Sequence, residues 1–117
     1  MSEIREETTR LVEVIRNSTV YAEYSAAKEE LKKYPVLQAK VDEYRTRNFR
    51  LQQDAKADIF DGAEALQQTY VGIIEDPVAY RFLRAESAFC RVMQQINYTL
   101  LEELEFEIGM EPEEEEA

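Results

Sequence analysis

Apolar residues recur at three- and four-residue steps over most of the chain, the spacing that gathers side chains onto one face of an α-helix. The longest such run extends from Asp76 to Ile108. Phe82, Phe89, Met93, Ile96, Leu100 and Leu104 form its stripe, with Leu83, Cys90 and Leu101 widening it. Asp76 is placed to cap this helix and Pro77 to open it, since a first-turn backbone N–H has no partner inside the helix and proline's φ is already helical. Gly109 and Pro112 are the expected stop signals. A helix of that length spans roughly 45 Å at about 1.5 Å per residue, too long for a small core to cover. Part of its face is therefore predicted to meet another long helix.

The same spacing predicts the remaining elements. A first helix runs from about Glu3 to Arg16 with Ile4, Leu11, Val12 and Ile15 on one side. Ser18 caps a second, reaching to about Lys33 with Tyr21, Tyr24, Ala27 and Leu31 inward. Tyr34 precedes a proline and so avoids the α region, which ends that helix and lets Pro35 open a third. Leu37, Val41, Tyr44, Asn48, Leu51 and Ala55 then alternate four- and three-residue steps, a heptad-like seam. Asn48 within it reads either as a register-setting polar residue or as a loosely packed level. The pattern dissolves past Lys56, and Asp61 is expected to cap a short helix from Ala63 to Glu75 carrying Leu66, Tyr70 and Ile73 or Ile74 inward. The two proline-opened helices, at Tyr34-Pro35-Val36 and Asp76-Pro77-Val78, would most simply fold back as an antiparallel pair.

Composition narrows this to an all-α protein: three Gly and three Pro in 117 residues leave few turns, and good helix formers fill the rest. The expected architecture is an elongated bundle of about five helices, two of them long and antiparallel, with a coiled-coil-like seam. Residues 1–110 are expected to form one helical domain, and 111–117, with four consecutive glutamates, an acidic disordered tail. A net charge of −11, from 14 basic and 25 acidic residues, disfavours direct binding to nucleic acid. No stretch approaches the ~20 apolar residues of a bilayer span, so direct membrane insertion is not expected.

Candidates for chemistry are few. Histidine is absent, which removes Ser/His and Cys/His nucleophile pairs, and the glycines stand apart from one another. The single Cys90 allows no internal disulfide and fits a reducing cytoplasm. On the apolar side of the long helix it reads as a small hydrophobe. Glu102, Glu103, Glu105 and Glu107 read as a solvated acidic face. No catalytic residue, cofactor or metal is expected. Glu86 is singled out because it points with the apolar stripe, where a charge needs a partner. It reads as an edge position, as a structural pair with an arginine or tyrosine of a neighbouring helix, or as a residue fixing the register of an interface. The interface candidates are Tyr44, Asn48, Leu51, Phe82, Glu86, Phe89, Met93, Ile96 and Leu100.

Ser18-x-x-Tyr21-x-x-Tyr24 followed by Ala27, Leu31, Pro35 and Leu37 resembles the N-terminal half of the YlbF/YmcA family of small bacterial helical regulators. Asp76, Pro77, Val78, Phe82, Leu83, Ala85 and Glu86, continuing to Ile96, resemble its second half. Tyr34 stands where an acidic cap would match the Asp-Pro at 76. The resemblance implies a cytoplasmic, non-catalytic protein acting through protein contacts in competence, sporulation and biofilm regulation. It also implies a complex of family members modulating the membrane-anchored endoribonuclease RNase Y in mRNA processing. Iron–sulfur clusters are implicated in that complex through cysteines beyond the helical domain. With Cys90 alone and a glutamate-rich end, this chain is not expected to hold one. The leading expectation is thus a regulatory adaptor that forms a homodimer or higher oligomer. The alternative is an RNA-binding accessory protein using a local face of Arg45, Arg47, Arg50, Arg81, Arg84 and Arg91.

Overall fold

The computed structural model describes residues 2–54 and 58–106. Within them the chain forms α1 (Ser2–Arg16), α2 (Thr19–Leu31), α3 (Pro35–Gln53), α4 (Ile59–Thr69), α5 (Val71–Ile74) and α6 (Pro77–Glu103). The radius of gyration is 17.8 Å, against about 13 Å for a compact domain of this length. The molecule is a plate of 46 × 43 × 18 Å, little more than one helix pair thick.

Local chemistry sets most boundaries. The Ser18 hydroxyl donates to the Ile15 carbonyl at 2.6 Å and accepts from the Tyr21 N–H, ending α1 and starting α2. Asp76 accepts from the N–H groups of Val78 and Ala79 at 2.9 and 3.4 Å, and Pro77 follows as the first helical residue. Tyr34 holds ψ at 79° ahead of Pro35, outside the α region as a pre-proline residue should be.

Three boundaries depart from the sequence expectation. The fourth helix begins at Ile59, because Asp58 and not Asp61 accepts the capping N–H, that of Asp61 itself, at 3.2 Å. Asp61 instead places its charge in the first turn, where the helix dipole favours it. That element breaks at Tyr70, which closes α4 and leads into the single turn of α5. The long helix stops at Glu103. Glu105 takes φ 53°, and the N–H groups of Glu105 and Phe106 return to the carbonyls of Glu102 and Leu101 at 3.1 and 2.9 Å. These two bonds form a Schellman stop built on a glutamate, ahead of the expected Gly109, which lies outside the described residues, as do Ala55 and the acidic tail. A left-handed conformation costs a β-carbon-bearing residue about 1–2 kcal/mol. Glu105→Gly should therefore stabilise the protein by about 0.5–1 kcal/mol in urea unfolding once glycine's own entropy is subtracted; an unchanged midpoint would show that the stop carries no such penalty.

The antiparallel partner of the long helix is α2. Tyr21 meets Phe89 and Tyr24 meets Phe82, so one helix descends as the other rises. The other long helix, α3, pairs antiparallel with α4: Leu51 lies at Gly62, and Tyr44 packs on Tyr70 with ring centroids 5.5 Å apart. A β-carbon at Gly62 would come within 2.5 Å of Leu51 Cδ1, so the bare glycine lets α4 lie this close to α3. α3 reaches α6 only near the first half of the latter, where Val41 joins the core and Arg45 meets Phe82 and Glu86. The core is small: Ala27, Leu31, Val41, Ala79, Phe82 and Ala85 are buried, with Tyr24, Leu37, Ile73, Val78 and Leu83 against them.

Candidate partner-binding surface

The seam of α3 is used within the chain. Val41 is fully buried, and Leu37, Tyr44, Asn48 and Leu51 are half-buried, largely beneath α4 and α5. Tyr70 organises this side. Its hydroxyl donates to Glu43 Oε2 at 2.8 Å and accepts from Arg47 Nη1 at 3.1 Å, while the Arg47 guanidinium lies 5.9 Å from its ring centre. The hydrogen bond from Arg47 to Tyr70 holds that guanidinium's pKa above its ordinary value. This three-residue chain was not visible in the sequence, although the i,i+4 placement of Glu43 and Arg47 on one side of a helix is the pattern that could have suggested it.

Glu86 is the structural pair that its position on the stripe called for. Arg45 Nε donates to Oε1 at 3.0 Å and Nη2 donates to Oε2, a two-pronged contact, while Arg45 Nη1 reaches Asp42 at 3.2 Å. The guanidinium also lies 5.5 Å from the centre of the Phe82 ring. Hydrogen bonding to Glu86 raises the Arg45 pKa against the opposing effect of burial. Geometry of this kind fixes the angle between α3 and α6.

Along α6 the candidates separate by level. Phe82 is core, and Phe89 stacks on Tyr24 at 5.1 Å and meets Tyr21 edge-on at 5.4 Å. Beyond the start of α2, nothing among the described residues packs over the helix: Met93 and Leu100 are exposed, Ile96 is half-buried, and Tyr98, Leu104 and Phe106 also face solvent. Val92, Gln95, Ile96, Thr99 and Leu100 line a shallow apolar groove of about 330 Å³ there. Cys90, expected on the packed side, is exposed, because α2 covers the Phe82 and Phe89 side of the helix and leaves the Cys90 side open. Among the described residues the apolar face of α1 is largely uncovered too. Ile4, Leu11, Val12 and Val14 are all exposed, which a reading of the first helix as an ordinary amphipathic element did not anticipate.

Of the six arginines proposed as a basic face, five are engaged locally: Arg45 with Glu86, Arg47 with Tyr70, Arg81 with Glu23, Arg84 with Tyr80 and Arg91 with Ser87, while Arg50 lies exposed. Arg81 clips α6 to α2, with Nε 2.8 Å from Glu23 Oε2, and this hydrogen bond lowers the Glu23 pKa. A carboxylate whose folded pKa lies below its unfolded value adds stability above the unfolded pKa, and that contribution is lost as pH falls through the folded one. A carboxyl-detected NMR titration should find Glu23 titrating below the ordinary glutamate value, and Arg81→Gln should raise it. A Glu23 midpoint indifferent to Arg81 would contradict the ion pair. Among the described residues no helix is long and apolar enough to cross a membrane, and no cluster of three or more metal-ligating side chains occurs.

A protein-family model described as control of competence regulator ComK, YlbF/YmcA, matches residues 4–105. The chain belongs to the YlbF/YmcA family. The matched range spans the segments that carry the α2–α6 aromatic contacts, the Arg45–Glu86 pair and the exposed end of α6. The family is one of competence regulators. No curated protein and no solved structure gives a significant match.

Proposed function

We propose that this YlbF/YmcA-family chain is a cytoplasmic regulatory adaptor without catalytic activity, acting as a homodimer or higher oligomer through protein contacts. In this reading it joins other family members in a complex that modulates an RNase Y-type endoribonuclease, and through mRNA processing influences competence, sporulation and biofilm development. The observation that carries it is the uncovered apolar end of α6, where Met93, Leu100 and Leu104 lie exposed along one helix. Large side chains in a contiguous exposed row are the usual mark of a protein-binding surface. Membership in a regulatory family supports the same reading. The RNA-binding alternative is weakened because five of its six arginines are engaged with neighbouring side chains.

An affinity pull-down from the native host tests it. Recovery of an RNA-processing endoribonuclease or of other YlbF/YmcA proteins, reduced when Met93 and Leu100 are changed to Asp, is the expected result. Recovery of the same proteins at the same level by that double variant would show that the ridge is not the binding surface, and recovery of the chain alone would remove the adaptor reading.

A further inference from the structure

We propose that α1 of one molecule seats on the exposed end of α6 of a second copy, reciprocally, with the two helices running in the same direction. The inference rests on the reading of this protein as self-associating and specifies how the copies meet. α1 is amphipathic yet has no buried residue; Ile4 is 63% exposed, and among the described residues α2 is the only helix in contact with it. The end of α6 is its counterpart, with Leu100 51% and Leu104 72% exposed.

Spacing selects the direction. Ile4, Leu11 and Ile15 are separated by seven and then four residues, and Met93, Leu100 and Leu104 by the same two steps in the same order. Running in parallel, the helices set Ile4 against Met93, Leu11 against Leu100 and Ile15 against Leu104, and the polar Thr8 falls beside the polar Asn97. Like levels meet in this way when two helices pack in parallel. Running antiparallel, Ile15 falls beside Met93, but Leu11 then meets Asn97 and Thr8 meets Leu100.

Charge selects the same direction. Parallel seating brings Arg16 to the end carrying Glu102, Glu103 and Glu105, and leaves Glu3, Glu6 and Glu7 at the end carrying Arg91. The reverse would stack those two groups of glutamates on each other, a like-charge arrangement that suppresses association.

The chain cannot supply this contact to itself. α2 begins beside Phe89, as the Tyr21 ring contact shows, so α1 leaves from that level of its own α6. Folded back, it could only run antiparallel, with Ile15 near Met93 and Ile4 near Leu104, the mismatched pairing. A second copy offers the matched direction, and the exchange closes as a two-fold dimer with both apolar faces covered.

The test uses full-length chains carrying Cys90→Ser. One preparation adds Leu11→Cys, a second adds Leu100→Cys and a third adds Asn97→Cys; they are mixed pairwise and oxidised gently. The expected result is a covalent dimer from the Leu11→Cys and Leu100→Cys mixture. In light scattering, Leu11→Asp should weaken the dimer on the order of 100-fold or more, since the contact is lost twice per dimer. Capture of Asn97→Cys in preference to Leu100→Cys, a disulfide formed chiefly between two Leu11→Cys chains, or a monomer at micromolar concentration would each overturn the seating. Absence of the cross-link with endoribonuclease capture intact sinks this inference and leaves the adaptor function standing; the cross-link without capture does the reverse.

Discussion

Phe82→Ala is expected to lower the unfolding free energy by about 3–5 kcal/mol, the cost of emptying a buried aromatic site that cannot collapse. Phe82 is 4% exposed, lies 5.9 Å from the Tyr24 ring and sits beneath the Arg45 guanidinium, so three helices lose a common contact when it is removed. Its buried neighbours make the loss hard to repair. Ala27, Ala79 and Ala85 have nothing to swing into the space, which leaves Leu31 and Val41 as the other buried side chains of any size in that cluster. Domains of this size hold about 5–15 kcal/mol in total. Thermal and urea melts should show a drop in midpoint of more than about 10 °C, with Phe82→Leu keeping most of the stability. A Phe82→Ala protein melting within a few degrees of wild type would mean that the α2–α3–α6 junction is not the centre of the fold.

The second large effect is expected at Glu86. Glu86→Ala leaves the Arg45 guanidinium, 39% exposed and seated against Phe82, without its main partner, whose own side chain is 21% exposed. Removing one member of a charge-assisted pair costs about 1–3 kcal/mol here, below the value for a fully buried pair because water still reaches the arginine. Replacing both residues by methionine should recover most of the loss, since the stranded charge goes with its partner. A double-mutant cycle in urea measures the coupling directly. Strictly additive single and double variants would show that the two side chains, though adjacent, do not support one another. The same variants read out function separately, because neither residue belongs to the exposed end of α6.

Much of this architecture could be read from the residues, and the reason is locality. Ser18, Pro35 and the Asp76-Pro77 pair act on the backbone within a turn of themselves, so no knowledge of the rest of the chain was needed to place the helices they begin. The inward side of α2 was equally legible, since Ala27 and Leu31 are buried where the spacing put them. Which helix faces which was not. Phe82 and Phe89 fit a stripe packed against α3 as well as one packed against α2, and only the Tyr21 and Tyr24 rings show that α2 is the antiparallel partner. The stop at Glu105 was hidden because a glutamate gives no signal for a left-handed conformation, whereas Gly109 gives a strong one. Glu86 was recognisable as a charge needing a partner, but the identity of that partner depended on how α3 crosses α6. The nine interface candidates shared one weakness: an apolar stripe looks the same in sequence whether the chain itself or another molecule covers it. Tyr44, Leu51 and Phe82 proved to be packed internally, while Met93 and Leu100 lie open.

The 18 Å depth of the plate has a mechanical consequence. Two bodies resting on its opposite broad sides would be separated by no more than a couple of helix diameters, with only a sparse layer of apolar side chains between them. Such an object works as a shim. It sets a gap and an orientation between the things it touches, and a modest change in how α2 and α3 lie on α6 would be felt on both sides together.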